Sequence, residues 1–234
     1  MSKSICSLCQ FWHSSIGKKI IVAVTGLVLV GFLLGHLTGN LLMYAGPAAF
    51  NEYAEFLHSM LHGAGVWIAR IVLLTCLVLH VTATICLVRA NKESKGQGYE
   101  NEQTSVASSS SRIMVWTGLT IIFFIIFHIL HYTVRVDSEL AELAKNPDIY
   151  GNDNNAYDMV ILGFQTWYVS FFYIISITLL CSHLSHGVAS IFQTLGLRTR
   201  NNAELIKIGA LAYTAIIWIG FISIPLAVLF GIID

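Results

Sequence analysis

Five stretches without a single Asp, Glu, Lys or Arg dominate this chain: Ile20–Asn51 (32 residues), Ile71–Val88 (18), Ile113–Val134 (22), Met159–Leu197 (39) and Ile208–Ile233 (26). A helix needs about 20 mostly apolar residues to cross the hydrocarbon of a bilayer. Each run therefore reads as a membrane span, and Gly46-Pro47 should end the first. Charged residues make up 11% of the 234 positions and hydrophobic ones 56%, against about 25% charged in a soluble domain. This excludes a soluble globule, a disordered chain and a nucleic-acid binder that works by bulk charge. The 39-residue run has no proline or polar turn at its middle, so it predicts one long helix overhanging the membrane. The expected fold is an all-α integral membrane protein, an antiparallel bundle of five transmembrane helices. The spans fall at about 20–45, 64–90, 112–135, 158–195 and 204–231, with a linker at 91–111 and an outer loop at 137–157.

Charge placement orients that bundle. With five spans, the N-terminal segment, the second–third linker and the fourth–fifth linker share one side. They carry Lys3, Lys18, Lys19, Arg89, Lys92, Lys95, Arg112, Arg198, Arg200 and Lys207, ten of the 13 basic residues. Arg70, Arg135 and Lys145 lie on the other side with most of the acids. The bias predicts a cytoplasmic N-terminus and an outer C-terminus. No secretory signal is evident in residues 1–17. Ser111, at the end of the serine-rich stretch 105–111, is the expected N-cap of the third span, and Pro225 is expected to kink the fifth. Cys6 and Cys9 form a C-x-x-C followed by Gln10, which does not make a covalent haem attachment. A single such pair does not close a zinc or iron–sulfur site.

Six of the nine histidines fall inside the spans: His36, His80, His128, His131, His183 and His186. An ionisable residue in a bilayer is costly and defaults to a functional role; a lone one reads as an interhelical hydrogen bond. Here four spans carry at least one. An internal repeat orders them: TGLVLVGFLLGH (Thr25–His36) in the first span and TGLTIIFFIIFH (Thr117–His128) in the third. Both run outward, so His36 and His128 reach one depth, with His131 almost a turn beyond. The second and fourth spans run inward, where His80 and His186 match, each six residues after a Leu-Leu pair. His183 lies on nearly the same face as His186 and stands as its alternative; Gly187 beside His186 leaves room for a flat macrocycle. Two pairs follow, His36 with His128 and His80 with His186, separated by on the order of 12 Å along the membrane normal. Two facing imidazoles at one level of a helix bundle are what a bis-histidine haem requires, a centre for electron transfer and not for oxygen binding. Arg70, about 15 Å outward of His80 along the helix, suits a propionate of the outer haem or a snorkelling place at the interface.

These residues resemble those of a known family. Ser14-Ser15-Ile16-Gly17-Lys18-Lys19, Gly35-His36-Leu37-Thr38-Gly39-Asn40, Phe50-Asn51-Glu52-Tyr53, Thr117-Gly118 with His128, and His186-Gly187 with Phe192-Gln193-Thr194-Leu195-Gly196 together are similar to the dihaem cytochrome b membrane anchor of succinate:quinone oxidoreductases (succinate dehydrogenase or fumarate reductase of the five-helix, single-anchor type). The resemblance implies two haem b groups, the proximal one on His80 and His186 and the distal one on His36 and His128. It implies a bacterial cytoplasmic (inner) membrane location. It also implies a flavoprotein with covalent FAD and an iron–sulfur protein on the cytoplasmic face. Electrons would pass between the iron–sulfur partner, the two haems and a quinone such as menaquinone. Glu52, Glu55 and His58, after the first span, are the candidates for quinone protonation, or are residues of a solvated loop. Two other classes fit the residues: another membrane dihaem cytochrome, such as a hydrogenase anchor or ferric reductase, and a haem-free structural anchor whose histidines only join helices.

Overall fold

The computed structural model describes residues 7–94, 109–143 and 155–234. Among them every regular element is helical: α1 (Ser7–His13), α2 (Ser15–Asn40) running into a 3₁₀ turn (Leu41–Ala45), α3 (Pro47–Ser59), α4 (Ala64–Ser94), α5 (Ser109–His128) running into a π-helical turn (Ile129–Val134), α6 (Ser138–Leu143), α7 (Ala156–Gln165), α8 (Trp167–Thr194) and α9 (Ala203–Leu229). Five stretches are long and apolar enough to cross a membrane: Ser15–Ala45, Ala64–Glu93, Ile113–Val134, Trp167–Thr194 and Ala203–Leu229. In the most apolar windows of the second and third of these, only 6% of the residues are buried inside the protein. Trp67, Ile71 and Phe123 are each 62% exposed. Apolar side chains turned outward in continuous bands call for a hydrocarbon solvent, so the chain is a multi-pass membrane protein.

The helix ends follow local chemistry. Ser14 caps α2, its Oγ accepting from the Gly17 N–H at 2.8 Å. Gly46 stops the first span with φ +94°, a conformation that glycine tolerates. Pro47 opens α3, where its missing N–H costs nothing. Helix α5 starts at Ser109, so Ser111 lies within its first turn and not at the cap. Pro225 lies inside α9, buried. Cys6, most of the 91–111 linker (95–108) and residues 144–154 of the outer loop lie outside the described residues, and Cys9 falls in α1.

The 39-residue uncharged run is two helices, not one. Thr166 takes an extended conformation (φ −73°, ψ 103°) between α7 and α8. The buried Ser170 hydroxyl donates to the Phe164 carbonyl at 2.6 Å, satisfying an acceptor that the break frees. No proline or charge is needed, because a hydroxyl one turn on does the work of a cap. The separated α7 packs against α3, α6 and α9. Asn51 in α3, fully buried, accepts from the Tyr157 N–H at 2.8 Å and ties α3 to the start of α7.

The bundle centre lies where α2, α8 and α9 meet. Leu37, Ile177, Cys181 and Ile217 are buried there in one cluster. Gly220 lets Leu37 of α2 pack against α9: a Cβ at this position would lie 2.6 Å from Leu37 Cδ1.

Candidate metal centre

The Thr-Gly repeat of α2 and α5 builds two like seats, and each holds an imidazole from another helix. In the first, Thr25 Oγ1 donates to the Ile21 carbonyl at 2.6 Å, which leaves its lone pairs free. Nδ1 of His80 lies 3.2 Å from that oxygen and 3.1 Å from the Val22 carbonyl. A carbonyl only accepts, so Nδ1 carries the proton and Nε2 keeps its lone pair. Gly26 makes room: a Cβ there would sit 3.3 Å from His80 Cε1. In the second seat, Thr117 Oγ1 is 3.1 Å from the Ile113 and Met114 carbonyls and 3.3 Å from Nδ1 of His183. The ionisable neighbours of His183 are His80 and His186. A Cβ at Gly118 would lie 3.6 Å from His183 Cε1. Thr25 and Thr117 are both buried, 5% and 3% exposed.

A second level lies further along the same helices. Thr25 to His36 and Thr117 to His128 are both 11 residues, about 16 Å of helix. The imidazoles of His36 and His128 meet edge to face, with ring centres 5.9 Å apart and planes at 80°. Tyr173 of α8, ten residues before His183, joins them: its hydroxyl is 3.2 Å from His128 Nδ1 and 3.1 Å from His131 Nδ1. Numbering rises from the first level to the second along α2 and α5 and falls along α8. Phe32 stacks on His36 (5.3 Å, 13°), and Phe221 and Phe124 flank the pair.

These donor sets suit an iron that brings its own equatorial ligands. Among the described residues no three or more His, Cys, Asp or Glu gather as metal ligands. Metal–imidazole bonds of about 2 Å on both sides set the ring centres roughly 6 Å apart, close to the separation of His36 and His128. An Nδ1–H held by a carbonyl or hydroxyl, with Nε2 left free, is the usual state of a metal-ligating histidine. Beside His186, a Cβ at Gly187 would meet nothing within 4 Å.

The structure brings His36 to His128, and it seats His80 and His183 on the paired Thr-Gly motifs. It does not give His186 such a seat. Arg70 lies on the exposed face of α4 with its guanidinium 5.0 Å over the Trp67 ring, an interfacial cation–π arrangement. Glu52 and His58 are exposed on α3, and His58 Nδ1 bonds the Ala54 carbonyl at 2.8 Å. Glu55 is half-buried, and its shielded Oε2 has no hydrogen-bond partner among the described residues. Sequence reasoning missed Tyr173; the only trace is a spacing to His183 close to the 11 residues of the other two helices. It read Thr25 and Thr117 as marks of a repeat and not as partners of histidines. No protein-family model, curated protein or solved structure matches the chain.

Proposed function

We propose that the chain is the membrane-anchoring dihaem cytochrome b subunit of a succinate dehydrogenase or fumarate reductase complex, reactive with a quinone such as menaquinone. The observation that carries this reading is two levels of imidazoles, about 16 Å apart, inside a bundle of five spans. Haem iron held at each level would supply one-electron transfer.

His36 and His128 would hold the distal group, and His80 with a histidine of α8 the proximal one. Sequence pattern places His186 opposite His80; the Thr117 seat favours His183. Nδ1 of His80, His183 and His128 is tied to protein oxygens, which would leave Nε2 of each for an iron; the ring nitrogens of His36 lie 3.4 Å and 3.5 Å from the Asn40 amide nitrogen. Phe32, Phe124 and Phe221 keep water from the distal pair. Glu55 is the first choice among Glu52, Glu55 and His58 for passing a proton to a quinone, because a shielded, unpartnered carboxylate oxygen is open to a new hydrogen bond. Arg70, held on Trp67, is the weakest of the proposed contacts and would reach a propionate only by leaving that ring.

In this reading the helices alternate in direction within a bacterial cytoplasmic membrane. The basic side carries a flavoprotein with FAD and an iron–sulfur protein. The test is a reduced-minus-oxidised spectrum of the purified chain with a haem count, and co-purification of a covalently flavinylated partner. A b-type α-band with two haems per chain is the expected result; an iron-free preparation overturns the reading, and a flavin-free complex with haem points to another dihaem cytochrome. In the same spectra, His183→Ala should lose the proximal haem and His186→Ala keep it; the reverse restores His186.

A further inference from the structure

We propose that Thr25 and Thr117 are a matched pair of positioning residues that hold His80 and His183 in one tautomer on opposite sides of the proximal haem. The inference rests on the dihaem reading above. It follows from the correspondence of the two seats. Each threonine sits in a Thr-Gly-Leu triplet, 11 residues before a distal-level histidine. Each accepts at Oγ1 from an Nδ1 (3.2 Å and 3.3 Å). Each lies within 3.3 Å of the carbonyl three residues earlier, Val22 or Met114, and in the first seat that carbonyl also receives His80 Nδ1 at 3.1 Å. Each is followed by a glycine beside the ring, where a Cβ would lie 3.3 Å from His80 Cε1 at Gly26 and at an ordinary 3.6 Å from His183 Cε1 at Gly118.

Two arguments give the arrangement a role beyond packing. First, a threonine hydroxyl inside a helix ordinarily bonds its own i−3 or i−4 carbonyl and asks for no further partner. Here both hydroxyls do so and still receive a ring nitrogen from a different helix. Second, an N–H donated to an acceptor makes an imidazole more electron-rich and more basic toward a metal. Two such bonds on one iron favour its ferric state. His36 and His128 have no threonine of this kind; their level is served by Asn40, which bonds the His36 carbonyl at 2.7 Å, and by Tyr173. The two haems are therefore tuned by different chemistry.

The experiment is redox titration and low-temperature EPR of the intact complex carrying Thr25→Val, Thr117→Val or both, with Thr25→Ser and Thr117→Ser as controls. Valine keeps the shape and removes the hydroxyl; alanine replaces it if the valine variant does not accumulate. Each valine variant should retain both haems and raise the midpoint of one of them only, the haem lost in His80→Ala. The ferrous-to-ferric ratio should change severalfold, at most about tenfold, which is about 59 mV for one electron. The double variant should shift the same haem further, and the serine variants should return it to the wild-type value. Unchanged potentials and EPR signals with both haems present overturn the inference and leave the dihaem reading standing. So does a shift in the haem that depends on His36. A complex without haem overturns both.

Discussion

His36 and His128 come from helices 92 residues apart in the chain and meet ring to ring at 5.9 Å. If one iron joins them, His36→Ala and His128→Ala should each leave one haem per chain, and the same one, as counted by pyridine haemochromogen absorbance. Retention of both haems in either variant removes the pairing. The glycines give a graded test. Gly26→Ala places a methyl 3.3 Å from His80 Cε1, tighter than ordinary contact, whereas Gly118→Ala places one 3.6 Å from His183 Cε1. Alanine also favours a helix interior by roughly 0.5–1 kcal/mol over glycine. Gly118→Ala should therefore equal or exceed the wild type in thermal stability. Gly26→Ala should gain nothing, and it should perturb the proximal haem's spectrum. At this scale the sequence showed which residue types matter and where. The repeat Thr25–His36 and Thr117–His128 was visible because it is linear. The sequence pattern chose His186 over His183, three residues away on nearly the same face; the contact of His183 with Thr117, 66 residues away, left no trace in that pattern.

Among the elements, α3 and α7 are short helices flanking the spans, joined by the buried Asn51 amide and by the Phe50–Tyr157 ring contact. Asn51→Ala deletes the acceptor of the Tyr157 N–H and leaves that buried donor unpaired, a cost of about 1–3 kcal/mol. Thermal unfolding in mild detergent should show a lowered midpoint, and Asn51→Asp, which keeps an acceptor oxygen, should recover part of it. An unchanged midpoint for Asn51→Ala would mean that the α3–α7 junction adds little stability. The start of α3 was legible from Gly46-Pro47, whose backbone restrictions act locally. The break at Thr166 was not. Thr166 and Ser170 look like many hydroxyl residues inside spans, and the break exists because Ser170 Oγ reaches the Phe164 carbonyl. The π-helical turn after His128 was equally hidden; it sets His131 and Tyr132 beside Tyr173 and Phe164, with ring centres 5.9 Å and 5.8 Å apart.

For the molecule as a whole, the charge-free runs translated almost directly into five spans, because the cost of burying charge in lipid acts on composition before any packing. By the positive-inside rule, ten of 13 basic residues on one side predict a cytoplasmic N-terminal side. In a chain cleared of its five native cysteines, a single cysteine at Asp234 should react with an impermeant maleimide added to intact cells, and one at Glu93 only after lysis. The opposite pattern inverts the topology. The 11-residue interval has a further consequence. Eleven residues make three turns with about 20° left over, so each threonine and the histidine above it point almost the same way. The interval acts as a ruler: inserting one residue between Gly26 and His36 swings that imidazole by about 100° away from its mate. Evolution can lengthen the connections between these helices freely, but indels between the two rungs must come in matched sets or not at all.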